Sequence, residues 1–584
     1  MNFLRNLLAS IIGTLIALGI ILVFFLLIAV AFGENEKISL KNNSVLELKL
    51  EALVKDYAPK SDDLFDKIFG FEDDKIGLNS IINAIENAKD DENIKGISIT
   101  TLGVNAGISQ TQAIRNKLLE FKETGKFIKA YADIYDQKSY YFSSVADSIF
   151  MNPVGAIDFK GLSSEVLFYK DLEDKTGVKM EVIRHGKYKS AVEPFLYNEM
   201  SDANRNQIIT FLKSIWDEMV VDISKSRKLT VEELNLVADN LLARNATLAI
   251  ENKIIDDAIY VDEYNNKLKI ASGISLDEDL NKISISDYIS IGNGRIKSTA
   301  SDKIAVIYAQ GEIIYGKGNE NIIGQDLIIK ALKKARKDTK VKAIVLRVNS
   351  PGGSALASEL ILRELELTKE TLPLVVSMGN VAASGGYYLS CNADRIFAEP
   401  TTITGSIGVF GVIPNFSNLA KTIGINAEQV RTNKGANYSV FEPMTDEFRL
   451  VTTEGVEAVY KTFLERVAKG RNMTIEAVDS IAQGRVWSGV DALKNGLVDE
   501  LGNLDDAILY AAELASITDY KVRNYPSYKV ELEDRFNNFP FMKSKEKVLI
   551  EELGEANYKI YQTIKQFSKL EGIQARMPYV IDIQ

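Results

Sequence analysis

Two loops in the second half of the chain place serine among small residues, in a pattern that suits nucleophilic chemistry. They are Asn349-Ser350-Pro351-Gly352-Gly353-Ser354 and Ala382-Ala383-Ser384-Gly385-Gly386-Tyr387. The second resembles the G-x-S-x-G turn that leads a strand into a helix, with Ala in the first place. Small neighbours let Ser384 expose its hydroxyl, and the Gly385 N–H would point the same way to stabilise an oxyanion. Ser384 is thus a candidate nucleophile, although an isolated serine here is also an ordinary helix N-cap.

The glycine pair of the first loop allows backbone N–H groups to approach a ligand closely, because no side chain stands in the way. A plain tight turn would use the same residues. The loop follows a predicted strand and precedes a predicted helix, as the Ser384 loop does. The sequence of this loop alone does not decide between a ligand-binding backbone and a plain tight turn.

A nucleophilic serine needs a base, and the chain offers few. The segment Gly186–Pro194 contains Lys189, and a lysine can act as a base only when it is neutral. Its pKa of about 10.4 must then fall to roughly 7, which burial among apolar groups can achieve. His185, the single histidine, is the alternative base if it lies one helical turn from Lys189. A solvated surface charge is the plainer interpretation of Lys189.

Composition excludes several other kinds of chemistry. One histidine and one cysteine, Cys391, are too few for the common zinc motifs or for a disulfide, so no metal or cofactor is expected. We interpret Cys391 as a small buried hydrophobe. The net charge of −11 argues against nucleic acid as a partner. Gly311–Gly318 resembles a phosphate-binding loop but lacks its Ser/Thr.

Strand and helix patterns alternate around these loops. Short apolar runs at Ile304–Tyr308, Ala343–Val348 and Leu374–Ser377 predict strands, whereas Asp326–Lys337 and Ser354–Leu367 have helical spacing. This order predicts an α/β fold with a mainly parallel sheet. Functional loops in such sheets gather at the carboxyl ends of the strands.

The chain also contains an internal duplication. Residues 94–97, Tyr140-Tyr141, 147–150 and Pro153 match residues found 247 positions later, and Ser190…Glu193-Pro194 matches residues 249 positions later. A nearly constant offset over such distances predicts two copies of one fold.

The two copies differ at the candidate chemical positions. The first copy has Gln137-Lys138-Ser139 opposite Ser384-Gly385-Gly386, and the second has Tyr438 opposite Lys189. Structural residues would tend to be kept in both copies. The pattern therefore favours a site between the copies, with the serine from one and the lysine from the other.

The amino terminus carries the clearest membrane signal. No charged residue occurs from Asn6 to Gly33, and about 20 apolar residues suffice to span a bilayer as a helix. Arg5 precedes this stretch and Glu34 follows it, which predicts that the chain beyond residue 34 lies outside the cytoplasm. A cleaved signal peptide with Ala29-Val30-Ala31 as its site is the alternative, but its apolar core is usually shorter.

Together with Thr404-Gly405-Ser406-Ile407-Gly408, these motifs closely resemble those of the signal peptide peptidase A (protease IV) family, in its long, duplicated bacterial form. The resemblance covers essentially the whole chain. It implies two tandem Clp-protease/crotonase-like repeats behind one N-terminal transmembrane helix. It also implies a homo-oligomer, a tetramer in the family, in the bacterial inner membrane with its catalytic part on the periplasmic side. The implied substrates are cleaved signal peptides and other apolar peptides.

On the same resemblance, Ser384 is the nucleophile and Lys189 the general base. The Ser406 hydroxyl would hold the lysine, and the Gly352 and Gly385 N–H groups would form the oxyanion hole. The predicted segments are an anchor (1–33), a first repeat (45–270), a linker (271–301), a second repeat (302–515) and a C-terminal extension (516–584) to which no pattern gives a role.

Two functions of other classes are the alternatives. A crotonase-like acyl-CoA enzyme would share the fold and the oxyanion N–H pair, and a non-catalytic membrane scaffold would explain the anchor and the duplication. The scaffold would not explain why the copies differ at the chemical positions.

Overall fold

The computed structural model describes residues 2–32, 38–59, 75–436, 438–528, 558 and 574–577. Their elements form a mixed α/β fold with two large sheets, one built mainly from each half of the chain. Most of the predicted C-terminal extension lies outside the described residues.

The first sheet has six parallel strands in the order β8-β6-β5-β4-β1-β9. Their bounds are β1 Ser44–Leu48, β4 Ile94–Ile99, β5 Phe127–Tyr135, β6 Ser148–Ile157, β8 Asp257–Ala258 and β9 Lys282–Ser284. Two short strands, β2 Leu53–Lys55 and β3 Lys75–Gly77, pair separately.

The second sheet contains the same order of six strands, with two further strands, β17 and β19, on its main path. Its main path is β19-β17-β15-β13-β10-β21, with β16 on β15 and β20 on β16. The bounds are β10 Lys303–Gln310, β13 Val341–Ser350, β15 Leu374–Ala383, β16 Arg395–Ala398, β17 Ile403–Gly405, β19 Val486–Ser488, β20 Glu500–Leu501 and β21 Lys521–Tyr525. Strands β21, β10, β13, β15, β16 and β20 therefore correspond to β9, β1, β4, β5, β6 and β8, which agrees with the duplication seen in the sequence.

Both segments with helical spacing in the sequence, Asp326–Lys337 and Ser354–Leu367, are helical within two residues at each end. In the first half the helices are α1 Asn2–Phe32, α2 Leu78–Asp90, α3 Ile108–Lys122, α4 Gln137–Ser143, α5 Lys170–Thr176, α6 Glu193–Leu196, α7 Asp202–Arg227, α8 Val231–Asp239, α9 Ala246–Glu251, α10 Val261–Ser272 and α11 Ile285–Tyr288. In the second half they are α12 Gln325–Lys337, α13 Ala355–Lys369, α14 Gly385–Ser390, α15 Ser417–Thr422, α16 Asp446–Arg471, α17 Ile475–Ile481, α18 Gly489–Lys494 and α19 Leu504–Leu514.

Burial explains why the central strand β10 is almost entirely apolar. Every residue of β10 from Ile304 to Gln310 is buried, because helices cover both faces of a parallel sheet. One hydrophobic core lies mainly within the first half and another within the second.

A third, mixed sheet joins the two halves, in the order β12-β11-β14-β22-β18-β7. Its strands are β7 Lys179–His185, β11 Glu312–Ile314, β12 Ile322–Gly324, β14 Gly352–Ser354, β18 Val409–Asn415 and β22 Gln574–Arg576. Strand β7 belongs to the first half and pairs antiparallel with β18 of the second along its whole length. This pairing carries the loop after β7 into the second half of the molecule.

Two edge strands lie beyond the predicted repeat limits. Strand β9 falls within the predicted linker and β21 within the predicted extension, yet each pairs with the first strand of its own sheet. Both are short segments of mixed composition, so their strand state depends on pairing with a neighbour rather than on a visible pattern.

Within the described part of the chain, no helix is long and apolar enough to cross a membrane. The anchor expected at residues 1–33 thus remains a prediction.

Candidate active site

Ser384 lies in a strained turn between β15 and α14. Its φ of 54° and ψ of −114° are rare for a residue with a side chain, and such conformations cost on the order of 1–3 kcal/mol. The Ser384 N–H donates to the Gly405 carbonyl at 2.8 Å, which fixes the turn against β17. The side chain is fully buried in this structure. The turn has the strand-to-helix form that the A-x-S-x-G pattern predicts.

Lys189 reaches Ser384 from the first half of the same chain. It lies in the loop that follows β7, and its Nζ is 2.9 Å from Ser384 Oγ. The same Nζ is 3.0 Å from Ser406 Oγ and donates to the Ser406 carbonyl at 3.1 Å. The structure thus brings together the three side chains that the sequence analysis placed at one site.

Glycines of the second half hold the Lys189 backbone. A Cβ on Gly484, whose φ is +83°, would lie 2.6 Å from the Lys189 nitrogen, and one on Gly408 would lie 3.3 Å from Lys189 Cδ. The neighbouring Tyr188 N–H donates to the Gln483 carbonyl at 2.9 Å. The lysine therefore depends on close backbone approach between the two copies.

A buried polar network supports the same loop from the first half. Gln207 donates to the Tyr188 carbonyl and to Ser190 Oγ, and its own carbonyl accepts from the Val486 N–H at 2.9 Å. Glu193, 1% exposed, accepts from Ser201 Oγ at 2.7 Å. Glu193 therefore has a structural role in the first copy, whereas its match Glu442 is only partly buried.

The environment of Lys189 favours the neutral amine. The residue is fully buried, and burial lowers its pKa well below the ordinary lysine value. Among the described residues no carboxylate forms an ion pair with Lys189, so no ion pair opposes the effect of burial. The Phe410 ring lies 5.9 Å from Nζ, close enough to stabilise a transient positive charge. A neutral amine 2.9 Å from a hydroxyl can accept its proton.

The two glycines expected at the oxyanion hole lie close together. A Cβ on Gly352, which has a φ of +97°, would be 2.7 Å from the Gly385 nitrogen. Gly385 begins α14, although that helix is only six residues long. The Gly352 N–H, however, donates to Ser350 Oγ at 3.1 Å in this structure. The Gly352 N–H can stabilise an oxyanion only if it leaves Ser350 Oγ or divides its hydrogen bond between Ser350 Oγ and the oxyanion.

His185 and Cys391 have other surroundings. The His185 ring is partly exposed, bonds Glu457 at 2.7 Å through Nδ1 and stacks on Tyr460. It ends a strand, so the expectation that it lies one helical turn from Lys189 is wrong. Cys391 is buried just after α14, and burial raises its thiol pKa to about 12. Such a thiol is unreactive.

Sequence reasoning missed part of this site. Gly484 and Gln207 shape the lysine loop from two different elements, and no motif marked either residue. Gly408 did stand within the Thr404–Gly408 motif. A comparison of the two copies offers no signal for Gly484, because the lysine loop that it contacts belongs to the other copy and has no lysine counterpart in its own.

Known proteins resemble this chain over most of its length. The model of peptidase family S49 matches residues 120–275 and 366–518, one segment in each half of the chain. Protease 4 of Haemophilus influenzae is 36% identical over 531 residues, covering 88% of this chain and 85% of that protein. The chloroplastic serine protease SPPA of Arabidopsis thaliana is 31% identical over 498 residues, covering 83% and 72%.

Among solved structures, a point mutant of ClpP1 from Listeria monocytogenes covers 35% of this chain and 94% of its own, at 15% identity. Its TM-score of 0.24 is too low to support an argument about fold. The Clp-protease/crotonase-like assignment therefore stays a prediction.

The fold and the relatives define a serine protease, a hydrolase of mixed α/β architecture. The chain belongs to peptidase family S49, with the family domain present twice. Neither the acyl-CoA enzyme nor the non-catalytic scaffold gains support from these relatives.

Proposed function

We propose that the protein is an endopeptidase in which Ser384 is the nucleophile and Lys189 of the same chain is its general base. The observation that carries the proposal is the 2.9 Å separation of Lys189 Nζ and Ser384 Oγ in a fully buried setting. The lowered lysine pKa supports it, because a base must be unprotonated at the working pH.

In the first half of the reaction, the Ser384 hydroxyl gives its proton to Lys189 as Oγ bonds to the peptide carbonyl carbon. The Gly385 N–H, and the Gly352 N–H once it turns from Ser350, donate to the oxyanion that forms. The Lys189 ammonium then protonates the leaving amine as the C–N bond breaks. Ser406 keeps Nζ in place through its hydroxyl and carbonyl oxygens.

In the second half, Lys189 removes a proton from water, which attacks the acyl-enzyme carbonyl. The ester bond to Ser384 Oγ breaks, and the proton returns to that oxygen. The carboxyl product leaves and the lysine is neutral again. No cofactor is needed at any of these steps.

For substrates and location the proposal rests on the sequence and on family resemblance. The substrates are apolar peptides, cleaved signal peptides among them, that remain in or near the membrane. The uncharged run from Asn6 to Gly33 would anchor the chain once in the bacterial inner membrane, with the catalytic part on the periplasmic side. The enzyme would act as a homo-oligomer, a tetramer by analogy with the family.

The test is hydrolysis of a fluorogenic apolar peptide by the full chain in detergent, beside three variants. Ser384→Ala and Lys189→Ala are expected to lose activity by at least about 100-fold. His185→Ala should keep activity close to that of the parent, since the His185 ring bonds Glu457 and stacks on Tyr460. An active Lys189→Ala beside an inactive His185→Ala would refute the base assignment. Undiminished cleavage by Ser384→Ala would refute the site.

A further inference from the structure

Gln207 is a buried amide that contacts both halves of the chain. It lies in the second turn of α7 and is 1% exposed. Its Nε2 donates to the Tyr188 carbonyl at 3.3 Å and to Ser190 Oγ at 3.2 Å, and its Oε1 accepts from the Val486 N–H at 2.9 Å. The two groups that accept from Nε2 stand directly before and after Lys189. One side chain therefore holds the loop that carries the lysine on both sides of the proposed base.

The strand that Gln207 contacts in the second half also supports both serines of the site. Val486 of β19 pairs with the last residue of β17, whose carbonyl accepts from the Ser384 N–H at 2.8 Å. The carbonyl of the preceding Arg485 accepts from the Ser406 N–H at 2.6 Å. Gln207 thus joins the loop that carries the amine to the strand that fixes the two hydroxyls.

The charged side chains near this loop are engaged away from the amine. Arg184 Nη1 donates to the Lys189 carbonyl at 3.2 Å and pairs with Glu193 at 3.5 Å. The Arg485 guanidinium lies over the Tyr188 ring, 5.1 Å from its centre. Burial is accordingly what lowers the lysine pKa. Any movement of the loop that admits water would raise this pKa toward its ordinary value.

We propose that Gln207 is a positioning residue, which keeps the Lys189 amine in line with the Ser384 and Ser406 hydroxyls and keeps water from it. This inference rests on the proposed function of Ser384 and Lys189. Without the amide, the Val486 N–H loses its acceptor and the loop loses a hydrogen bond on each side of the lysine. A buried N–H without an acceptor is costly, so the loop relaxes by moving or by admitting water.

Gln207→Met in the full chain tests the proposal, because methionine has a similar volume and donates no hydrogen bond. We expect kcat for a fluorogenic apolar peptide to fall about 100-fold, the effect of a displacement near 1 Å, with KM unchanged. The rise of kcat/KM with pH reports the pKa of the base, so it should move to higher pH. A role in folding alone would lower stability and leave the pH profile in place.

Gln112→Met is the matched control. Gln112 is 3% exposed and also joins the two halves, since its Oε1 accepts from Thr401 Oγ1 at 2.9 Å and its Nε2 donates to Asp222 Oδ2 at 3.3 Å. These partners lie outside the loop that carries Lys189. The same substitution therefore removes an equally buried amide, and kcat and the pH profile should stay those of the parent.

Gln207→Glu is the second variant, and it decides the matter if Gln207→Met does not fold. It keeps the shape of the side chain and the acceptor for Val486 but loses the N–H donors. Its carboxylate would also favour the Lys189 ammonium, so the pH profile should again move to higher pH. A parent-like profile in every folded Gln207 variant, with hydrolysis still dependent on Ser384 and Lys189, would overturn the inference and leave the proposed function intact.

A stability measurement gives an answer without hydrolysis. Lys189→Met should raise the unfolding temperature at pH 7, because the folded chain holds the lysine neutral while the unfolded chain protonates it. This gain should be smaller in the Gln207→Met background, where the lysine pKa is closer to its ordinary value, and unchanged in the Gln112→Met background. Equal gains in the two backgrounds would contradict the inference, since Gln207 and Lys189 would then act independently.

Discussion

The two hydroxyl groups nearest Lys189 Nζ belong to residues with unusual backbone angles. Ser384 and Ser406 have φ values of +54° and +50°, a region that residues with side chains seldom enter. Each conformation costs free energy that the surrounding fold must offset. Here the N–H groups of both serines donate to neighbouring carbonyls, Gly405 and Arg485, which fixes them. Strain is thus concentrated where the hydroxyls must be aimed at one amine.

Lys189→Met predicts a change in stability that depends on pH. The folded chain holds Lys189 with a lowered pKa, so the unfolded chain binds more protons between that pKa and about 10.5. The parent is therefore destabilised by the lysine at neutral pH and recovers as the pH rises. Methionine fills the site without this penalty.

We expect Lys189→Met to unfold at a higher temperature than the parent at pH 7, with the difference shrinking as the pH approaches 10. Thermal unfolding measured from pH 7 to 10 tests this, with the exposed Lys213→Met as the control. A gain that stays constant or grows with pH would contradict a buried neutral lysine.

Serine and lysine could be predicted from the sequence because each is present in only one of the two copies. The importance of Gly408 and Gly484, which contact Lys189, could not be predicted in the same way. Each position favours glycine because a Cβ there would lie close against Lys189. That requirement becomes visible only when the structure shows the two segments side by side. The same applies to Gln207, whose partners Tyr188 and Val486 lie far away in the sequence.

At the scale of elements, the decisive contact is the pairing of β7 with β18. Seven residue pairs, from Val409–His185 to Asn415–Lys179, join a strand of the first copy to one of the second. The turn after β7 then packs on the 483–484 loop. This arrangement makes the lysine's position depend on an element of the other copy.

Gly484→Ala tests that dependence. The new Cβ would lie 2.6 Å from the Lys189 backbone, so the lysine must shift, and a misplacement of about 1 Å lowers activity roughly 100-fold. Gly424→Ala is the matched control, because its φ of +84° equals that of Gly484 within a degree and its surroundings are open. Peptide hydrolysis should fall in Gly484→Ala and not in Gly424→Ala. An equal loss in both variants would show that backbone strain, and not contact with Lys189, lowers the activity. Parent-like activity in both would contradict the dependence on Gly484.

At the scale of the whole molecule, a buried ion pair also connects the two halves. Arg347 of β13 and Asp56 are each 1% exposed, and Arg347 Nε donates to Asp56 Oδ2 at 3.1 Å. Ser377 Oγ and the Met378 carbonyl accept from Arg347 as well. Removing one partner leaves the other charge buried without compensation.

Asp56→Ala is expected to lower the free energy of unfolding by about 3–5 kcal/mol, measured by urea titration. The control is Asp217→Ala, which breaks the exposed pair with Lys213 and should change stability by less than about 1 kcal/mol. Similar losses in the two variants would mean that the buried pair contributes no more than a surface pair.

Strands β10, β13 and β15 of the second sheet could be predicted from sequence because each contains a short, mostly apolar run, and the duplication extends that prediction to the first sheet. Strand β22 could not, since Gln574-Ala575-Arg576 has neither alternation nor an apolar run. Its structure comes from two backbones that lie on either side of it. Edge strands β9 and β21 could not be predicted within the linker and the extension for the same reason.

The central claim is that Lys189 activates Ser384 within one chain, and the rate of Ser384 acylation by a small acylating probe tests it most directly. Intact-mass analysis of the full chain follows one label per chain as the pH is varied. The account predicts that the parent's rate rises with pH and levels off below the ordinary lysine pKa, and that Lys189→Met reacts at least about 100-fold more slowly at pH 7. Equal rates in the two proteins, or a label on any residue other than Ser384, would contradict it.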